Sequence, residues 1–64
     1  MTFTIQLKTC TAIGQSARDI IDYMIPKEDQ ELRRQEIRQI VRHLEMLDRY
    51  ETTAVHGFTI QRTT

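Results

Sequence analysis

A chain of 64 residues with nine basic side chains, nine acidic ones and one cysteine makes a single small domain near the lower limit of unaided folding. Its formal net charge of zero gives no global field to recruit nucleic acid, so any such binding must rest on a local patch. One cysteine excludes an internal disulfide, and no stretch approaches the roughly 20 apolar residues of a membrane span; self-association is the remaining support for so small a core.

Thr2 to Lys8 alternates, with Phe3, Ile5 and Leu7 on one side and Thr4, Gln6 and Lys8 on the other. A period of two in β-forming residues predicts a half-buried strand. Thr9-Cys10-Thr11 joins it to a helix, in which Ile13, Ala17, Ile20, Ile21 and Met24 recur at helical spacing. Ser16 and Asp19 have the spacing of a capping box, and Thr11 is an alternative start one turn earlier. Pro26 disfavours helical geometry at Ile25 and ends this helix. It also suits the first turn of a second one, where Glu28, Asp29 and Glu31 favour the helix dipole.

That second helix is read from Pro26 to about Tyr50, roughly 36 Å long. Glu51-Thr52-Thr53 breaks its pattern, and His56-Gly57 is a turn before a closing strand. In that strand Phe58-Thr59-Ile60-Gln61 repeats Phe3-Thr4-Ile5-Gln6 letter for letter. Either the two strands converged on one amphipathic pattern or a unit was duplicated. The expected fold is α+β and mainly helical: strand–helix–helix–strand, an antiparallel helical hairpin with short terminal strands, dimeric. An all-α hairpin with irregular termini is the alternative.

The long helix carries three groups of side chains. Ile37, Ile40, Val41, Leu44 and Leu47 form the stripe that packs into the core. Arg34, Arg38 and Arg42 recur every four residues as a row of cations about 130° from that stripe, by the 100° advance per residue. Glu31 and Glu45 stand at helical spacing from the ends of the row, while Arg38 is flanked by Gln35 and Gln39. The row is either a solvated face or a contact for phosphates or an acidic protein surface, for which arginine offers a planar fork of donors. Leu32, Met46 and Tyr50 share a third azimuth, which a lone hairpin would leave exposed, and are assigned to self-association.

Catalytic chemistry has no visible carrier. Cys10, His43 and His56 match no zinc spacing, and a structural zinc site needs four ligands. No glycine-rich phosphate loop, nucleophile elbow or carboxylate pair stands out. No metal, cofactor or enzymatic activity is expected.

Two partial resemblances remain. Thr2-Phe3-Thr4-Ile5-Gln6-Leu7 looks like the DNA-reading strand of ribbon–helix–helix repressors, and Gly14-Gln15-Ser16-Ala17-Arg18-Asp19-Ile20-Ile21 is similar to the start of that family's second helix. The resemblance implies Thr4, Gln6 and Lys8 as base readers in the major groove and the Gly14–Ser16 amides as a phosphate grip. The family's intervening helix has no counterpart, since Lys8 to Ile13 alone separates these elements. Tiny size, one capped amphipathic helix, a second charged helix and no catalytic motif resemble the small early accessory proteins of lambdoid phages. That resemblance implies an oligomeric protein of the host cytoplasm that acts on host physiology or the lysis–lysogeny choice through a bacterial partner. The leading expectation is a non-enzymatic, dimeric interaction module facing its partner with Arg34, Arg38 and Arg42. The alternative is a small dimeric DNA-binding transcriptional regulator. An unpaired cysteine fits a reducing cytosol, and Met1–Ile5 lacks the basic start of a signal peptide.

Overall fold

A computed structural model describes all 64 residues. The chain begins with a hairpin, β1 (Phe3–Gln6) and β2 (Thr11–Gly14). Three helical segments follow: α1 (Ala17–Met24), the single turn α2 (Lys27–Gln30) and α3 (Arg34–Glu45). A second hairpin closes it, β3 (Thr52–Val55) and β4 (Phe58–Arg62). The four strands form one antiparallel sheet in the order β2-β1-β4-β3, with the first and last strands paired at its centre.

This overturns the mainly helical hairpin: the fold is a small α+β domain built on a four-stranded antiparallel sheet. Its helices cover one face. Phe3 and Ile5 of β1, Ile60 of β4, Ala17, Ile20 and Ile21 of α1, Ile25, and Ile37, Ile40, Leu44 and Leu47 from α3 and its exit form one buried cluster. Full burial of each large aliphatic side chain contributes about 1.5–3 kcal/mol.

The tetrapeptide repeat now has a local cause. Ile5 lies opposite Ile60 and the two copies run antiparallel, so both central strands send Phe and Ile to the helices and Thr and Gln outward. Hairpin connectivity differs, because β1 precedes its hairpin partner and β4 follows its own. The shared environment accounts for the alternation of apolar and polar residues in both copies.

Two strands escaped the sequence reading for different reasons. In β2 the usual alternation is inverted, with the large Ile13 exposed and small Ala12 and Gly14 turned towards α1. Close packing demands this, since a Cβ on Gly14 would stand 2.8 Å from Ile20 Cδ1. In β3, Thr52-Thr53-Ala54-Val55 is half exposed and lacks a strong alternating signal. His56 (φ 52°) and Gly57 (φ 81°) form the two-residue turn that joins it to β4, as a tight hairpin requires.

α1 starts where Ser16 places it. The Ser16 hydroxyl accepts from the Asp19 N–H at 3.2 Å, and the Asp19 carboxylate accepts from the Gln15 N–H at 3.1 Å. Ile25, extended before Pro26, ends it.

The single helix from Pro26 to Tyr50 is also corrected. Gln30 donates to the Ile25 carbonyl and to Asp22, each at 3.0 Å, fixing α2 to the end of α1. Arg33 then leaves helical geometry (φ −109°, ψ 28°), and its guanidinium turns to Glu36 and His56. At the far end Met46 caps α3, Leu47 drops into the core, and Tyr50 takes a left-handed conformation (φ 68°) that turns the chain into β3. Arg62 secures this exit by donating to the Leu47 carbonyl at 2.6 Å.

Candidate interaction surface

Two helices meet over the sheet, and their junction gathers the positive charge. Arg18 from α1 and Arg34 and Arg38 from α3 border an open groove of about 310 Å³, with Ile37 and Val41 at its base. Lys27 and Gln30 of α2, with the acidic Glu31 just after it, extend the wall past Arg18 and Arg34. Arg34 pairs with Glu31 at 3.2 Å across an exposed gap, whereas Arg18, Lys27 and Arg38 enter no ion pair. Between α1 and α3 the floor is apolar and the rim carries Arg18, Arg34 and Arg38; Glu31 is the one acid on the adjoining wall.

Helical drift sorts the expected arginine row. Four residues advance about 400°, so successive members rotate about 40° further round the helix. Arg34 and Arg38 line the groove; Arg42, turned furthest, does not. Sequence reasoning missed Arg18 and Lys27, because only the packing of α1 on α3 brings them beside the row. One local signal was present. Arg18 and Arg34 sit in the first turns of their helices, each sharing the turn with an acid, Asp19 and Glu36, at positions where the macrodipole disfavours cations by roughly 0.3–1 kcal/mol at exposed sites.

A second charged group joins the start of α3 to the β3–β4 turn. Arg33 donates to both oxygens of Glu36 at 2.8 and 2.6 Å, and His56 in the β3–β4 turn stands 3.1 Å from the same carboxylate. The Arg33 hydrogen bonds hold the Glu36 carboxyl below the usual carboxylate range against opposing desolvation, with Coulombic help from Arg33 and His56. The same hydrogen bonds raise the Arg33 guanidinium. This cluster fastens the start of α3 to the second hairpin. His43 meets Thr53 at 2.9 Å, and Cys10 is exposed beside the first turn. No group of three or more His, Cys, Asp and Glu side chains comes together as a metal site.

The strand residues assigned to DNA reading are separated from the geometry that the repressor resemblance implies. Such a ribbon needs β1 to pair with its copy in another subunit, and here β2 and β4 occupy both edges of β1. Thr4 and Gln6 instead share the open sheet face with Thr11, Thr52, Thr59 and Gln61. Lys8 sits in the β1–β2 turn.

Leu32, Met46 and Tyr50 are exposed, at 87, 81 and 59%, but they are not one patch. Leu32 precedes α3 and Met46 caps its other end, so the length of α3, roughly 18 Å at 1.5 Å per residue, separates them. The shared azimuth disappears with the single helix that defined it.

The fold and site together define a small two-layer α+β domain with a cationic groove between its helices. No protein-family model matches the chain, and no curated protein or solved structure is recognisably similar to it. No helix is long and apolar enough to cross a membrane.

Proposed function

We propose that this chain is a non-enzymatic interaction module that binds an acidic, partly apolar protein surface in the groove between α1 and α3. One observation carries the reading: Arg18 and Arg38, from different helices and without ion-pair partners, flank an apolar floor of Ile37 and Val41. Arginine forks bind carboxylates bidentately, and the floor would bury an apolar side chain between them. The partner proposed is a bacterial protein and the site of action proposed is the host cytoplasm, as the resemblance expected from the sequence implies.

The test is affinity capture from bacterial lysate by the wild type and by an Arg18→Glu/Arg38→Glu variant, beside a gel shift of duplex DNA at low salt. Protein captured by the wild type should be lost from the variant, with the duplex unretarded. Identical capture by both overturns the reading. So does a retarded duplex whose binding collapses as salt rises, the signature of phosphate contacts.

A further inference from the structure

β2 is an edge strand without the usual protection. Natural edges are blunted by charge, proline, bulges or a covering segment, because an unpaired strand offers its backbone to any other extended chain. Thr11-Ala12-Ile13-Gly14 contains no charged residue and no proline, and it pairs with β1 at all four positions without a bulge. The opposite edge, β3, is guarded: His43 reaches Thr53, and Arg33, Glu36 and His56 cluster at its turn.

The backbone phase of β2 shows what it presents. Leu7 donates to the Cys10 carbonyl at 2.8 Å, which marks that pair as hydrogen-bonded. Bonded and non-bonded pairs alternate along an antiparallel ladder, so Ala12 bonds to β1, while Thr11 and Ile13 turn their N–H and C=O groups outward. A partner strand must match that phase. A second β2 does so about a two-fold axis at Ala12, where Thr11 faces Ile13 of the other copy and each such pair exchanges both N–H···O bonds.

The flanks fit the same occupant. Ile13, 64% exposed, stands on one side of the edge. On the other, Tyr23 is 44% exposed and lies about 140° round α1 from Arg18, by the 100° advance per residue. Arg18 borders α3, so Tyr23 occupies the opposite flank of α1, beyond the buried Ile20 and above the free edge. Strands pair about 4.8 Å apart and α1 rests on β1 and β2 alike. Two copies joined at β2 would therefore hold their α1 axes roughly 10 Å apart, close to the 8–10 Å at which helices pack. An uncharged edge also does not repel its own copy.

We infer that two copies of this chain associate edge to edge through β2, forming one continuous antiparallel sheet with Ala12 at the two-fold axis. The cationic groove lies on the other flank of α1 and stays open in the dimer. Sedimentation or light scattering of the wild type should give twice the 7.6 kDa of one chain. Ile13→Lys should reduce the mass to one chain with an unchanged circular dichroism spectrum, while Ala54→Lys on the β3 edge should leave the dimer intact. Ala12→Cys in a Cys10→Ser background should oxidise to a covalent dimer, because a non-bonded pair brings its Cα atoms to about 4.5 Å, within disulfide reach. A monomeric wild type, a dimer that survives Ile13→Lys, a dimer lost in Ala54→Lys, or the absence of the Ala12→Cys disulfide each overturns the inference.

Discussion

Gly14→Ala tests the closest approach between the two layers. A Cβ at Gly14 would meet Ile20 Cδ1 at 2.8 Å, Ile20 Cγ1 at 3.1 Å and Asp19 Cβ at 3.3 Å. Ile20 is fully buried and cannot swing clear, so the added methyl must displace α1 or strain its rotamer. Overpacking of this kind costs about 1–3 kcal/mol. Alanine also restricts the unfolded chain, which offsets roughly 0.4–1 kcal/mol of that. A net loss centred on about 1.3 kcal/mol, between about 0 and 2.6 kcal/mol, is expected, with each kcal/mol lowering Tm by roughly 4–8 °C in a domain of this size. Ile20→Val deletes Cδ1, the nearest atom, and alone should cost about 0.5–1.5 kcal/mol. In the double variant the worst contact is gone, so its loss should be smaller than the two single losses added together. Urea unfolding followed by circular dichroism measures all four corners of the cycle. A Gly14→Ala protein more stable than the wild type would exclude the close contact as the controlling feature. Single losses that add within about 0.3–0.5 kcal/mol would exclude it as well.

Acid should loosen the contact between α3 and the second hairpin. Hydrogen bonds from Arg33 lower the folded-state pKa of Glu36. Its contribution is therefore present above the ordinary carboxylate range and lost as pH falls through the lowered folded value. Glu36→Gln should unfold at lower urea than the wild type near neutrality, and the gap should narrow in acid; a gap that stays constant with pH would exclude the ion pair as its source. Ser16→Ala removes the acceptor for the Asp19 N–H and should cost about 0.5–2 kcal/mol, most of it restored by Ser16→Asp. An Ala variant no less stable than the Asp variant would remove Ser16 from the account of why α1 starts there.

How much was legible in the sequence depended on how locally each feature was determined. The alternation of Phe3 to Leu7 marked β1, and the Ser16–Asp19 spacing and Pro26 bounded α1, because each rests on a few neighbouring residues. The stripe Ile37, Ile40, Leu44 and Leu47 is buried as its spacing predicts. The helix containing that stripe is shorter than its periodicity predicts: the break at Arg33 is stabilised by Glu36 and His56, and His56 is distant in sequence. β2 was hidden by its inverted pattern, which makes sense once α1 is known to press on Gly14. The hairpin at His56-Gly57 left a usable sign, a two-residue turn between short runs of β-formers. Arg18 had no such sign pointing to Arg38, because the groove exists only in the packed structure.

The groove between α1 and α3 is tested most directly by charge reversal. Wild type, Arg18→Glu/Arg38→Glu and an Arg49→Glu control should be compared in capture of protein from bacterial lysate. Arg49 is exposed, lies outside the groove and stacks 5.0 Å from the Tyr50 ring. The control should keep the wild-type partner and the double variant should lose it. Retention by the double variant, or equal loss in both, would contradict the groove as the binding site.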